Sequence, residues 1–333
     1  MLNSGAKFFD RYAHLASMKT PFVRSSGEDR VVESARNWTQ GVHGAKIGAE
    51  HKDADYPYPM VIMSEASGSN NTLNHDLCTS FENGPDSLIA SSAQATFAST
   101  FIPAIQSRLN THIAGANLTT TDVLNLMDLC PFNSIRLTNT TTLSPFCTLF
   151  TPAEWHSYNY YETLNKYYGY GSGNPLGPTQ GVGFVNELIA RLTSRPVNDS
   201  TSTNHTLDSS PDTFPLDRSL YADFSHDNDM TAILFAMNLY PNTKDLSNST
   251  IETADEAGGY SAAWTVPFAA RVYVEKMSCD GFDEDLIRVV VNDRVLPLEN
   301  CGGDELGRCT LTAFIDSLDF ARSGGKWDSC FSS

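Results

Sequence analysis

Residues Tyr221–Asn228 read Tyr-Ala-Asp-Phe-Ser-His-Asp-Asn, which puts a histidine and an aspartate where an apolar strand gives way to an amphipathic helix. After the turn, apolar side chains recur with the spacing i, i+3, i+4 and i+7, at Met230, Ile233, Leu234 and Met237. This spacing predicts a helix with one buried face.

The start of such a helix attracts anions, because its free N–H groups and its dipole point outward there. His226 at this position could donate hydrogen bonds to a phosphoryl oxygen, and Asp227 could protonate a departing alkoxide. Locally, a His-Asp pair is more commonly an ordinary helix cap, so phosphate chemistry is a hypothesis that other parts of the chain must support.

A second strand-turn-helix unit lies near the N-terminus. Thr20–Arg24 has an extended pattern, Ser-Ser-Gly follows, and the next apolar residues share one helical face, at Val31, Ala35, Trp38 and Val42. Pro59–Ser64 predicts a buried strand. Arg24 and His226 both follow predicted strand ends, which is where open α/β sheets bind ligands. From local sequence alone, a surface arginine ahead of a helix is the alternative for Arg24.

The remaining pattern alternates between helical and extended segments. Leu73–Tyr170 is helical and aromatic, and a further amphipathic helix carries Val185, Leu188, Ile189 and Leu192 on one face. The polar, proline-containing residues Val197–Pro215 predict an exposed loop. Strands are predicted at Arg271–Glu275 and Ile287–Asn292, on either side of an acidic turn. Strands alternating with helices favour one open α/β sheet.

Composition excludes two classes of partner. The longest wholly apolar runs are about six residues, against the roughly 20 that span a bilayer, so no membrane partner is expected. A net charge of -17 argues against nucleic acid, whose phosphates require a basic surface. The same charge means that a phosphate-ester substrate would need a local cluster of Arg and Lys.

Seven cysteines and seven Asn-x-Ser/Thr sequons indicate the secretory pathway. No C-x-x-C or H-x-x-x-H cluster occurs, which disfavours a metal site built from Cys and His. Met1–Arg11 has no apolar core of a signal peptide. We therefore expect a secreted glycoprotein whose N-terminal signal segment is missing from this chain.

Several stretches, in order, resemble the fungal phytases of the histidine acid phosphatase family. They are TPFVRSSG (Thr20–Gly27), MSEAS (Met63–Ser67), GNPLGPTQG (Gly173–Gly181), ADFSHDN (Ala222–Asn228) and FARSGG (Phe320–Gly325). The family hallmark R-H-G-x-R-x-P, whose histidine is the nucleophile, has no counterpart, because Arg-His-Gly does not occur in these 333 residues.

The resemblance implies a phosphoglycerate-mutase-like α/β sheet domain at residues 1–73 and 176–333, with the N-terminal part of the sheet missing. It implies a helical insertion domain at residues 74–175. It also implies disulfides that join Cys78 to Cys330, Cys130 to Cys147 and Cys301 to Cys309, with Cys279 left over.

The resemblance also implies the chemistry. Phosphomonoesters such as phytate would be hydrolysed through a phosphohistidine without a metal or other cofactor. His226 would hydrogen-bond the phosphoryl group, Asp227 would protonate the leaving alcohol, and Arg24 would clamp phosphate. The chain as given, lacking the nucleophile, is expected to be inactive.

Substrate preference rests on two further matches. Lys166 corresponds to one of two adjacent family lysines that hold phytate, and Asn165 replaces the other. Asp128 corresponds to a pocket residue of the family. A solvated helix lysine is the alternative for Lys166. The alternatives for the whole protein are a broad-specificity secreted acid phosphatase and a catalytically dead phosphate-binding glycoprotein.

Overall fold

The structure is a computed structural model, which describes residues 1–16, 20–47, 58–113, 115–136 and 142–331. The α-helices within these ranges are α1 Leu2–Ala16, α2 Asp29–Ile47, α3 Thr79–Asn83, α4 Ile89–His112, α5 Thr120–Arg136, α6 Pro152–Tyr170, α7 Val182–Thr193, α8 His205–Asp208, α9 Asp227–Ala236, α10 Ala262–Thr265, α11 Leu311–Ser317 and α12 Asp319–Arg322. The strands are β1 Phe22–Ser26, β2 Met60–Met63, β3 Tyr221–Phe224, β4 Val272–Met277, β5 Leu286–Val291, β6 Arg294–Val295 and β7 Arg308–Thr310. Short 3-10 helices occupy Pro85–Leu88, Pro145–Leu149, Pro178–Gly181, Glu299–Cys301 and Trp327–Phe331.

A three-stranded parallel sheet in the order β2-β1-β3 carries both predicted strand-turn-helix units. One side of β1 faces the predicted apolar stripe of α2, and Val23 shares a core there with Ala35, Trp38 and Val42. Phe8 of α1, a helix that the sequence pattern did not predict, joins the same core. The side chain of Arg24 meets α7 instead. Helices therefore cover both faces of β1.

Two of the expected strand properties were wrong. β2 pairs with β1 alone among the described strands and lies at the sheet edge, so Ile62 is exposed although the strand was predicted to be buried. Arg24 was expected just past the end of its strand, but it is the third of the five residues of β1. An apolar run predicts a strand, but it does not indicate whether that strand lies in the centre or at the edge of the sheet.

The last strands do not extend the parallel sheet. β4, β5, β6 and β7 form a separate antiparallel sheet, contrary to the single open sheet favoured by the alternating pattern. β4 and β5 are joined only by residues 278–285. Such a connection is too short for the crossover that parallel pairing requires, so the two strands fold back on each other.

The predicted exposed loop Val197–Pro215 is largely packed. Thr203 is fully buried and Phe214 nearly so. Asp199 accepts hydrogen bonds from the Asn186 side chain of α7, at 2.7 Å, and from the Thr203 hydroxyl, at 2.9 Å. The polar composition predicted exposure to solvent, but these polar groups form hydrogen bonds with one another and with α7.

The segment Leu73–Tyr170 is largely helical, as predicted. α4 contributes Ala98, Ile102 and Ile105 to a cluster with α5, while Leu164 of α6 belongs to the larger core that also contains α7 and α9. The division into domains at residues 74–175 stays a prediction.

One helical stretch of the described residues, Pro85–His112, is long and apolar enough to cross a membrane by length and composition. Phe97, Ile102 and Ile105 of this stretch are buried inside the protein, and 33% of its most apolar part is buried.

The three expected disulfides are confirmed, and Cys279 is the one unbonded cysteine of the seven. Cys78–Cys330 joins residues 252 positions apart. Among the sequons, Asn139 lies outside the described residues.

Candidate active site

The carboxyl ends of the three parallel strands bring charged side chains together at one edge of the sheet. Glu28 follows β1, Glu65 follows β2, and His226 follows β3. One oxygen or nitrogen atom of each side chain lies within 4.8 Å of the others. This is the edge at which parallel sheets bind ligands, so the predicted position of His226 is confirmed.

His226 is held from two sides by carboxylates. Its Nε2 lies 3.2 Å from Glu65 Oε1, and its Nδ1 lies 3.8 Å from Glu28 Oε2. Glu65 also accepts hydrogen bonds from the Ser26 hydroxyl and, at 3.1 Å, from the backbone N–H of Glu28. Partial burial opposes the charge of Glu65, but these donors outweigh burial and lower its pKa. The imidazole is therefore positioned by a carboxylate whose ionised form is stabilised by its hydrogen-bond donors.

Asp227 is the first residue of α9, and His226 is the N-cap residue. The Asp227 carboxylate is half-exposed and forms an ion pair with Lys166 of α6, whose Nζ also donates to Asn228 Oδ1 at 2.6 Å. Lys166 is only 13% exposed, so it is not the solvated helix lysine that was the alternative. The structure thus brings together Asp227 and Lys166, which are 61 residues apart in sequence.

Arg24 lies beneath the same edge and is 2% exposed, which rules out the surface arginine. Its Nε donates to Asp223 Oδ1 and its Nη2 to Glu187 Oε2, both at 2.6 Å. The register of β1 and β3 pairs Arg24 with Asp223 directly. Burial opposes the guanidinium charge, but these two carboxylates outweigh it and raise the pKa of Arg24. Nη1 is the nitrogen not used in these two ion pairs.

Asp128 lies on α5 and accepts a hydrogen bond from the Tyr158 hydroxyl of α6. It is connected to the site through Glu162, one helical turn before Lys166. Burial first, and then the charges of Asp128 and Asp227, raise the pKa of Glu162 to about 7, although Lys166 acts in the opposite sense. Asp128 thus belongs to an acidic rim around Lys166, and no direct contact joins it to His226.

Two groups in the described part of the chain have donor sets that could hold a metal ion. One is Glu28, Glu65 and His226, and the other is His75, Asp76 and Glu82. None of these six side chains is among the buried ones that lack a hydrogen-bond partner. One hydrogen bond lies within each group, between His226 and Glu65 at 3.2 Å and between His75 and Glu82 at 2.7 Å.

Comparison with known proteins identifies the family. The family model described as the histidine phosphatase superfamily (branch 2) matches residues 1–292. The chain belongs to this superfamily. Phytase A of Emericella nidulans is 52% identical over 332 residues, which cover 99% of this chain and 71% of the relative. Phytase A of Aspergillus fumigatus is 50% identical over 336 residues, covering 100% of this chain and 71% of that protein.

Solved structures agree on the histidine phosphatase fold. The phytase from D. castellii superposes with a TM-score of 0.76 at 22% identity and covers all of this chain. This chain spans 65% of that one, less than two thirds of its length. The multiple inositol polyphosphate phosphatase of Bifidobacterium longum, solved in complex with phosphate, has a TM-score of 0.59 at 14% identity over 98% of this chain and 80% of that chain.

Several residues of this candidate site escaped the sequence analysis. Glu65 and Asp223 stood inside stretches that were quoted for other reasons, whereas Glu187 and Glu162 stood in helices that were read only for apolar periodicity. For Glu187 and Glu162, the signal would have been a charged residue at a helix position that faces the core.

Proposed function

We propose that this histidine phosphatase acts as an acid phosphomonoesterase with phytate as substrate and a phosphohistidine intermediate. The observation that carries the proposal is the placement of His226 and Asp227 at the start of α9, at the sheet edge above buried Arg24. Phosphate would bind to Arg24, to His226 and to the start of the helix. The similarity to fungal Phytase A proteins supports the reaction class.

Asp227 is the proposed proton donor to the leaving alcohol. Its carboxylate is paired with Lys166, so it must leave this ion pair before it can carry a proton. A substrate with several phosphates can break this ion pair, because a second phosphate group can bind Lys166 in place of the Asp227 carboxylate. Binding of a polyphosphorylated substrate would thereby prepare the general acid.

The nucleophilic histidine of the R-H-G-x-R-x-P motif is not among these 333 residues. We therefore propose that residues 1–333 by themselves release no phosphate at an enzymatic rate. Turnover or a phosphoenzyme burst from the purified 333-residue protein would overturn this part of the proposal.

The proposed acid is tested in a protein that carries an R-H-G-x-R-x-P segment together with residues 1–333. Asp227→Asn should lower turnover on an alkyl phosphate about 10²- to 10⁴-fold. It should lower turnover much less on an activated aryl phosphate, because that leaving group needs little protonation. Arg24→Ala and His226→Ala serve as comparisons, since both should impair both substrates. Equal losses on the two substrates for Asp227→Asn would remove its role as acid.

A broad-specificity acid phosphatase is the second candidate. It is favoured by Asn165 in place of a second lysine and by the acidic rim of Asp128 and Glu162 around Lys166. The ratio of kcat/KM for phytate to that for an aryl phosphate separates the two candidates. In a phytase, Lys166→Met should lower this ratio, whereas in a broad phosphatase it should leave the ratio unchanged.

Secretion and glycosylation belong to the same proposal, supported by the three disulfides and the sequons.

A further inference from the structure

Asp208, at the end of α8, brings an unassigned carboxyl group to the buried ion pairs of Arg24. Its neighbour is Glu187 of α7, which is fully buried. Glu187 Oε2 accepts hydrogen bonds from Arg24 Nη2, at 2.6 Å, and from the Thr72 hydroxyl, at 2.8 Å. Glu187 Oε1 and Asp208 Oδ2 are both buried, and neither has a donor among the described residues.

Asp208 and Glu187 face each other closely enough for a hydrogen bond between their carboxyl groups, and each has one buried oxygen without a donor. Ionised carboxylates are acceptors only, so such a bond requires one proton between them. Burial first, and then the charge and hydrogen bond of Glu187, raise the pKa of Asp208 to about 7, while Arg24 and Arg191 act in the opposite sense. While this proton is kept, the pair holds a single negative charge.

The charges around Arg24 sum to zero only while the Asp208–Glu187 pair keeps its proton. Arg24 comes from β1, Arg191 from α7 and Asp223 from β3, and Asp223 accepts hydrogen bonds from both arginines. Two cations thus face two anions while the Asp208–Glu187 pair keeps its proton. When the proton leaves, a net negative charge appears next to the guanidinium that is proposed to bind phosphate.

We propose that Asp208 is a positioning residue for Arg24, sharing a proton with Glu187 so that Arg24 can accept an oxyanion. This inference rests on the role of Arg24 in the proposed function. A bound oxyanion and an ionised Asp208 repel each other. Binding of the oxyanion must therefore oppose ionisation of Asp208, and ionisation of Asp208 must weaken oxyanion binding.

Sulfate binding to the 333-residue protein tests the inference. Sulfate keeps one charge state between pH 5 and 8.5, and its binding does not depend on turnover. We expect wild-type affinity to fall about tenfold more between pH 6 and pH 8 than the affinity of Asp208→Asn, whose amide hydrogen-bonds Glu187 at every pH. Asp212→Asn, an exposed aspartate on the same segment, should behave as wild type. Wild type and Asp208→Asn differ only at position 208, so the difference between their pH profiles reports Asp208.

A second variant covers the case in which Asp208→Asn fails to fold. Glu187→Gln moves the single negative charge onto Asp208 and keeps the balance, so it should also flatten the pH profile. Sulfate binding that depends on Arg24 but falls equally with pH in wild type and in the folded Asp208 or Glu187 variant would overturn this inference alone. Sulfate binding that Arg24→Ala leaves unchanged would overturn the phosphate role of Arg24, and the inference with it.

Discussion

At the scale of single residues, burial decides the charge of Asp229 in the first turn of α9. The side chain is 4% exposed, and its Oδ2 has no hydrogen-bond partner among the described residues. Burial raises the pKa of Asp229 to about 7, although His75 and His226 act in the opposite sense. An aspartate two positions after the proposed general acid is therefore neutral in acid.

This shift makes stability depend on pH in a predictable direction. The pKa of an aspartate in the unfolded chain is about 3.9, so the folded protein holds the Asp229 proton more tightly, and its contribution is lost as pH rises from about 4 through 7. Asp229→Asn cannot titrate. Between pH 4.5 and 7.5 the wild type should lose on the order of 3 kcal/mol more of its free energy of unfolding than Asp229→Asn does. Urea unfolding at several pH values measures this, with exposed Asp255→Asn as control. Parallel curves for wild type and Asp229→Asn would contradict the burial argument.

At the scale of elements, the position of α9 depends on how closely it packs against Pro178–Gly181. A Cβ on Gly181 would lie 2.5 Å from Ile233 Cα and 2.6 Å from Ile233 N. These are backbone atoms, which cannot rotate away. The glycine therefore sets the distance of the helix that begins with Asp227.

Gly181→Ala should destabilise the protein by about 3 kcal/mol, because it overpacks a backbone contact. It should also weaken sulfate binding, because α9 carries His226 and Asp227. Gly169→Ala is the matched control. A Cβ there meets its nearest neighbour, Ala90 Cβ, at 3.7 Å, and Gly169 lies inside α6, where alanine favours the helix by roughly 0.5–1 kcal/mol. Thermal unfolding of the two variants should move in opposite directions, and equal shifts would show that Gly181 does not limit the packing of α9.

At the scale of the whole molecule, the disulfides restrict the unfolded chain to different extents. Cys78–Cys330 closes a separation of 252 residues and ties α3 to the C-terminal segment, while Cys301–Cys309 closes only 8. Removing the disulfide that closes the longer loop should cost about 5–6 kcal/mol, against about 2–3 kcal/mol for the shorter one. Urea unfolding of the double variants Cys78→Ala/Cys330→Ala and Cys301→Ala/Cys309→Ala measures the difference. A larger loss for the short loop would mean that the entropy of the unfolded chain does not dominate.

The local pattern of the sequence determined the elements that carry the site. Apolar spacing predicted the helices with Trp38 and Leu234 on their buried faces, and the strand-to-helix turn predicted where His226 lies. These features depend on residues within a few positions of one another, so periodicity and turn chemistry suffice. The family resemblance supplied the disulfide pairing, which periodicity does not contain.

Only the tertiary structure decided which charges meet. Arg24 faces Glu187 and Asp223, Lys166 faces Asp227, and Asp208 packs where a polar segment predicted solvent. It also decided that β4 and β5 form a second, antiparallel sheet. The ion pairs of Arg24 with Glu187 and Asp223 and of Lys166 with Asp227 join residues about 60 to 200 positions apart. Their pairing follows from strand register and helix packing. A buried charge is stable only next to a charge of opposite sign, and the local sequence does not show which distant residue will lie beside it.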